Sequence, residues 1–560
     1  MSVILLTLAL LSADARPADT AVVCPKAFVS ALEPLLAHRH AHGHRFVYIS
    51  NEHPAEKIRD LIRQAARGGH LRAVLLVGDH EPSAVTDAAL RLRSVPTHFT
   101  AAKVNIKFGS EPEIAGDNWY ADLDDDDLPD LAIGRLPADN PAQLAVMVKK
   151  ILAYDQADQG DWRQRINLVA GVGGFGPILD PVVELAAKKL ITEGIPPAYT
   201  TSMTFGSWRS PYCPDPRRFH ETTVQRLNEG CLFWVYIGHG QPRGLDRVAM
   251  PTGKYHIFTD SDCDKLNAAH GSPIAVMLAC YTAAFDGAQD CLAEQMLVAP
   301  GGPVAVYGGS RVTMPYGMAV MGTEILDEYF RGKTATLGEV ILNAKRRMAA
   351  PASEKNVKTA NRLLLDGLAK VFSPAAGQLE DERREHLALF NLLGDPNLRL
   401  TRPQEITFAP LAKAQAGKEL EVLCRCPIGG RCTAEIVSRR DTLKSKRPIR
   451  DHFDPSDASL AAFQPAYLEA NDSVWSREVS DFAVGSAADT PLLLTLPVPL
   501  DACEPAYVRV YVEGREGHAM GAVSLTILAK QEAGKESSPT PATSASENGI
   551  SPISRRSSQR

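Results

Sequence analysis

The sequence predicts an α/β fold, a mostly parallel sheet with flanking helices, followed by an all-β sandwich. Three observations carry that expectation. Short β-rich runs alternate with amphipathic helical patterns over residues 20–80. Between 165 and 309 four apolar runs of five to eight residues recur, each bounded by polar loops. From Thr407 to Leu528 the apolar residues alternate with polar ones over short segments. Strand–helix–strand alternation requires parallel strands joined by covering helices, and runs apolar on both faces suit strands buried on both sides. Period-two alternation suits strands with one wet face.

In chain order, 21–25 (AVVCP) reads as a strand, and 26–42 as a helix from the spacing of Phe28, Leu32, Leu35 and Leu36. Residues 45–49 are a second strand, 54–66 a second helix, and 72–77 a third strand ending at Gly78-Asp79. The alternation resumes with a strand at 165–172 and a helix at 181–193. Three further strands are CLFWVYI (231–237), PIAVMLA (273–279) and PVAVYGG (303–309), with helices expected at 290–298 and 321–329. The sandwich strands are LEVLCR, TAEIVS, PLLLTLPV, YVRVYVEG and AVSLTIL, all within 403–530. Residues 531–560 are rich in Ser and Pro, poor in apolar residues, and read as a disordered tail.

Composition narrows the function. The 560 residues are 45% hydrophobic and 22% charged, with 41 Gly and 39 Pro, which excludes collagen-like, coiled-coil and wholly disordered chains. Net charge is -6 and no basic block occurs, so nothing favours a nucleic-acid partner. No apolar run reaches the roughly 18–20 residues that span a bilayer. Residues 3–11 (VILLTLALL) precede Ala13-Asp14-Ala15, which has the small-x-small form of a signal-peptidase site. Residues 1–20 are therefore read as an export signal, and the protein as secreted or held in the cell envelope. A positive n-region is missing, so the competing reading is a buried segment of a cytoplasmic protein.

Ten cysteines are too few for a disulfide scaffold. Cys424, Cys426 and Cys432, with Cys503 farther on, suggest one or two disulfides or, less regularly spaced than usual, a zinc site. His38, His40, His42 and His44 alternate through a helix end, where alternate residues point to different sides, and read as a solvated helix end.

The chemistry is expected at two strand ends. The run 231–237 leads into Gly238-His239-Gly240, and the run 273–279 leads into Cys280. Functional groups of open α/β sheets collect beyond the carboxyl ends of strands. On adjacent strands, His239 can take the Cys280 thiol proton and later protonate a leaving amine. The N–H groups of Gly240 and Cys280 are candidates to bind an oxyanion. Taken singly, each is more often structural: a Cys ending a buried strand is usually a small core residue.

Tyr236-Ile-Gly-His-Gly240 and Leu278-Ala-Cys280 resemble the His-Gly and Ala-Cys motifs shared by caspases, legumain, clostripain and the gingipains. Three more stretches resemble the gingipain family of cysteine peptidases in particular: Val74-Leu-Leu-Val-Gly-Asp79, Asp117-Asn-Trp-Tyr to Ala132-Ile-Gly-Arg135, and Phe390-Asn-Leu-Leu-Gly-Asp-Pro396. Their order and spacing agree across about residues 21–400. The resemblance implies an N-terminal α/β subdomain at 21–160, a caspase-like catalytic subdomain at 161–402, and an immunoglobulin-like sandwich at 403–530. It implies thiol-dependent hydrolysis of protein or peptide substrates, with Cys280 as nucleophile and His239 as base and acid, and no cofactor for the chemistry itself.

Two departures stand out. The family's glutamate that orients the His, in the loop after the strand at 165–172, is replaced by Gly171-Val-Gly-Gly-Phe-Gly176. A catalytically weak or inactive relative acting as a binding or self-processing module is therefore the alternative reading. Only about twenty residues precede the catalytic region, against a long propeptide in the family, so control by a folded prosegment is not expected. The same glycines satisfy G-x-G-x-x-G, but no strand ending in an acidic residue follows at the distance a dinucleotide site requires. They read as backbone room beside the cleft.

Asp180 matches, by its place before the next helix, an aspartate that binds a basic P1 side chain in arginine-specific gingipains. Followed by Pro181, it is also a good N-cap. Ser310 and Arg311 are expected to form another wall, with acidic substrates preferred if Arg311 points inward. Asp122, Asp124, Asp126 and Asp130 fall at positions 1, 3, 5 and 9 of a short loop, a pattern of hard oxygen ligands that suits Ca²⁺. Asp127 and Ile133 stand where an EF-hand has Gly and Glu, so the loop is no EF-hand. The family resemblance implies calcium in a structural role.

Overall fold

The computed structural model describes residues 16–157, 160–171, 194–268, 271–351, 359–444, 450–482 and 491–528. The apolar N-terminal segment, the loop and helix expected over 172–193, and the Ser/Pro-rich tail lie outside the described residues.

Ten strands form one sheet: β1 Thr20–Cys24, β2 Phe46–Ser50, β3 Ala73–Val77, β4 Ala132–Leu136, β5 Arg165–Ala170, β6 Thr200–Phe205, β7 Phe233–Ile237, β8 Ile274–Leu278, β9 Ala305–Gly309 and β10 Phe390–Leu393. Across the sheet they run β2-β1-β3-β4-β10-β9-β8-β7-β5-β6. Every neighbouring pair is parallel except β9 with β10. The sheet is therefore two parallel blocks of opposite direction, welded where the late strand β10 enters between β4 and β9. β10 meets β4 only at Leu393 opposite Arg135. Residues in β1, β3, β4, β8, β9 and β10 are buried at every position, as strands covered by helices on both faces must be.

The covering helices include α1 Val29–Ala41, α2 Ala55–Ala66, α3 Pro141–Gln156, α4 Phe219–Asn228, α5 Leu292–Val298, α6 Pro315–Arg331, α7 Leu337–Ala349, α8 Thr359–Phe372 and α9 Leu379–Leu389. Their starts follow local chemistry. Asn140 caps α3 by accepting the N–H of Ala142 and Gln143, with Pro141 at N1, and Thr336 with Glu339 forms a capping box on α7.

Three of the family-like stretches work as fasteners at the weld. Arg135, fully buried in β4, donates to Asp117 and to the carbonyls of Gly78 and Val95. Lys345 of α7 donates to Asn118 Oδ1 and to the carbonyls of Leu387 and Phe390, and burial holds its ammonium down at about 7. Arg39 of α1 pairs with Asp395 just past β10. A buried cation is tolerable only when its donors are satisfied this fully.

The C-terminal region is β-rich: β11 Glu419–Arg425, β12 Gly430–Ser438, β13 Val474–Phe482, β14 Pro491–Pro497, β15 Ala506–Gly514 and β16 Gly517–Leu525. Two sheets, Gln404-Glu405·β16·β15·β12·β13 and Thr407-Phe408·β11·β14, enclose a core of residues such as Val422, Leu496, Ile436 and Val508. All ten cysteines are unbridged; Cys424, Cys426 and Cys432 are buried in this core and Cys503 is exposed. An inserted helix, Phe463–Asn471, covers the free edge of the main sheet: the Asn471 amide accepts the Met203 N–H at 2.7 Å and donates to its carbonyl at 3.0 Å, as a neighbouring strand would. Among the described residues no helix is long and apolar enough to cross a membrane.

Candidate active site

β7 and β8 are nearest neighbours, in parallel register with Ile237 opposite Leu278. The Gly238 N–H continues the ladder to the Leu278 carbonyl at 3.3 Å. Two residues beyond the last paired positions stand His239 and Cys280, at the same level on strands about 4.8 Å apart. Both are partly exposed, at the carboxyl ends of their strands.

Glycines permit that closeness. A Cβ on Gly240 would lie 2.5 Å from the Cys280 carbonyl oxygen and 2.9 Å from Ala279 Cβ. A Cβ on Gly238 would lie 2.7 Å from Tyr236 Oη and 3.0 Å from the Cα of Gly171, the first residue past β5. The three strand ends β5, β7 and β8 thus converge through bare backbone. Beneath them the buried Tyr236 hydroxyl donates to the His239 carbonyl at 2.7 Å and accepts the Asp246 N–H at 3.3 Å. Burial and the nearby Asp246 push the Tyr236 phenol well up, so it stays a donor.

The sulfur has its own partners. Thr313 N–H donates to Cys280 Sγ at 3.2 Å, and Thr313 Oγ1 lies 3.4 Å from it. An N–H aimed at sulfur stabilises negative charge there. Tyr281, next to Cys280, sits in the left-handed region at φ 57°, which turns the chain sharply off β8 and is costly for a residue with a Cβ.

Thr313 is itself held from behind. The next residue, Met314, donates its N–H to His386 Nε2 at 2.8 Å, and His386 Nδ1 lies 2.6 Å from the Glu382 carbonyl. Those contacts require the tautomer protonated on Nδ1. Gly317, in the first turn of α6, donates to Glu382 Oε1 at 2.9 Å. Burial holds His386 down at about 4 and pushes Glu382 up to about 7.

Cys280, His239 and Gly240 stand at neighbouring strand ends. Ser310 and Arg311 turn inward to the fold and not to a cleft wall. Ser310 is fully buried with its hydroxyl donated to the Ala115 carbonyl, and the Arg311 guanidinium is held by both oxygens of Asp286 and by the Glu113 carbonyl. Asp180 and the glycine-rich residues 172–176 lie outside the described residues. Asp122, Asp124 and Asp130 place oxygens within 4.8 Å of one another, while Asp126 accepts the Leu128 N–H. Asp125 and Asp127, both in the left-handed region, turn the chain there. Asp122 also pairs with the buried Arg59.

Thr313, His386 and Glu382 escape sequence reasoning, and Tyr236, though it opens the His-Gly motif, does not announce its bond to the His239 carbonyl. Thr313 follows the predicted strand 303–309 by a few residues, but it acts through its backbone, which no side-chain pattern reveals.

A family model described as peptidase family C25 matches residues 13–401. The crystal structure of the Arg-specific cysteine proteinase gingipain R (RgpB) is similar at 16% identity, covering 92% of this chain and 99% of that one, with a TM-score of 0.50. A solved protease structure is similar at 15% identity, covering 91% of this chain and 98% of that one, with a TM-score of 0.50. The complex of Porphyromonas gingivalis RgpB pro- and mature domains aligns at 16% identity over 91% of this chain and 100% of that one, with a TM-score of 0.49. No curated protein sequence matches.

Proposed function

Because the chain belongs to peptidase family C25, a family of cysteine peptidases, we propose that it hydrolyses peptide bonds through Cys280 as nucleophile and His239 as general base and acid. The supporting observation is the register of β7 and β8, which levels residues 239 and 280 on adjacent strand ends, with the Thr313 N–H on the sulfur.

In this reading His239 takes the thiol proton as Sγ attacks the scissile carbonyl carbon. The tetrahedral oxyanion accepts the N–H groups of Gly240 and Cys280. Collapse breaks the C–N bond, and the proton held by His239 passes to the leaving amine. Water, deprotonated by the same imidazole, then attacks the thioester carbonyl and releases the acid with the free thiol. The test is a peptide library digested by wild type, Cys280→Ala and His239→Ala: cleavage by wild type alone supports the reading, and equal cleavage by Cys280→Ala overturns it.

A basic P1 preference carried by Asp180 belongs to the same proposal. Wild type should cleave an Arg–Ala reporter faster than a Leu–Ala reporter, and Asp180→Asn should erase the difference.

The glycines at 171–176, standing where the family has its glutamate, favour a second reading: a weak or inactive homologue that binds or processes itself. Iodoacetamide separates the two. An activated Cys280 is alkylated faster than the other nine cysteines near neutral pH, whereas an inactive site shows no such preference.

Asp122, Asp124 and Asp130 fit a hard cation in their convergent carboxylate oxygens, and would hold Ca²⁺ in a structural role at the loop packed on α2. Chelator should then lower the melting temperature; an unchanged melt rejects the site.

A further inference from the structure

His220, His256 and Asp262 come together from three separate elements between β6 and β8. His220 is the second residue of α4, His256 ends the hairpin strand Gly253–His256, and Asp262 lies in the turn Asp260–Lys265. The two imidazoles stack with ring centroids 4.3 Å apart, and His256 Nε2 is 3.3 Å from Asp262 Oδ2. One ligand atom from each of the three residues lies within 4.8 Å of the other two.

We infer that these three residues form a binding site for a first-row transition metal of the zinc type. Two imidazole nitrogens and one carboxylate oxygen are a borderline donor set, which suits zinc and its neighbours and not calcium or magnesium. The fourth position, open to solvent beside the partly exposed histidines, goes to water. Asp262 is fully buried and its orientation is fixed: Oδ2 accepts the Thr259 N–H at 3.1 Å and Oδ1 accepts Lys265 Nζ at 2.8 Å. A ligand locked by such hydrogen bonds is what a metal centre needs around it. Lys265 itself is half-exposed and free to turn to water when a dication takes its place beside the carboxylate.

The place matters for the loop that follows His239. Gln241 pairs with Gly244, Gly244 bridges Thr259, and the Leu245 N–H reaches the Phe258 carbonyl at 2.8 Å. Thr259 is in turn the residue whose N–H Asp262 caps. A metal tying Asp262 and His256 to α4 would fix the floor on which residues 240–245 rest. The site is a binding claim and stands whether or not Cys280 is an active nucleophile.

Co²⁺ titration of the full chain carrying Cys280→Ala tests it without competition from that thiol. One equivalent should give the visible absorption bands of a four- or five-coordinate ion, and Zn²⁺ should abolish them. His220→Ala and His256→Ala should each weaken Co²⁺ binding by at least about tenfold, with melting of the metal-free chains unchanged. Bands of equal strength and midpoint in both variants, or no bands in the parent, overturn the proposal. If either variant misfolds, X-ray absorption of the zinc-loaded parent decides: two imidazole scatterers support the site, and fewer than two reject it.

Discussion

The backbone N–H of Thr313 points at the sulfur of Cys280 from 3.2 Å away. The loop leaving β9 therefore passes behind the thiol before entering α6, and brings a donor no side chain announces. A hydrogen bond to a charged group contributes about 1.5–3 kcal/mol, roughly a ten- to hundredfold effect on a rate that depends on that charge. Thr313→Pro removes the N–H, whereas Thr313→Val keeps it and removes only the hydroxyl. Iodoacetamide labelling of Cys280 should slow by that factor in Thr313→Pro and change little in Thr313→Val. Equal labelling of the two variants, with melting intact, would remove the N–H from the account.

Gly240 is the tightest point between the two strand ends, since a methyl group there meets the Cys280 carbonyl oxygen at 2.5 Å. Backbone cannot give way as a flexible side chain can. Gly240→Ala must then push the His239 and Cys280 segments apart, and misplacement by about 1 Å costs on the order of 10²-fold in rate. Tyr236→Phe tests the same geometry more gently, by deleting the hydroxyl that holds the His239 carbonyl. Peptide turnover should fall in kcat with KM little changed in both variants, and more in the glycine variant. A loss confined to KM would argue that these residues shape substrate binding instead.

How much of this was readable beforehand differs by element. β8 is legible because it is buried on both faces, and β7 because it is apolar throughout although Val235 and Ile237 are only partly buried; both write themselves as apolar runs. The 239–280 pairing follows from where those runs stop. β4 is harder: Arg135 lies fully buried in its interior, so the run is broken by a charge whose partners come from elsewhere in the chain. β10 has only four residues, too few for a period, although its motif is conspicuous. The helix expected at 321–329 in fact begins at Pro315, a residue suited to N1 that is easily taken for a loop signal. The alternate-position rule for the acidic loop gives three converging carboxylates and not four, because it assumes an even path that Asp125 and Asp127 break.

Asp117 and Arg135 form a buried pair at the weld between the two blocks of the sheet, with both contacts at 2.7 Å. Removing one partner strands a charge in the interior, at a cost of about 3–5 kcal/mol, while replacing both is far milder. Asp117→Asn and Arg135→Met should each lower the denaturation midpoint strongly, and the double variant should recover part of the loss. Additive losses would mean that Arg135 acts through the Gly78 and Val95 carbonyls and not through Asp117.

His386 and Glu382 hold the start of α6 with opposite dependence on pH. His386 falls from 6.5 to about 4 on folding, so between those values the unfolded chain binds the extra proton and stability is lost as pH falls. Glu382 rises from 4.5 to about 7, so the folded chain holds the extra proton and stability is lost as pH rises through that window. Each shift corresponds to roughly 3 kcal/mol. Between about pH 4.5 and 6.5 the two slopes largely cancel in the wild type. Glu382→Gln retains an acceptor for the Gly317 N–H but loses its titration, leaving the His386 slope: its urea midpoint should climb steeply with pH across that interval. His386→Gln leaves the opposite slope, with a midpoint that drops as pH rises from about 4.5 to 7. If both variants track the wild-type profile, these buried groups do not titrate as the packing around them requires.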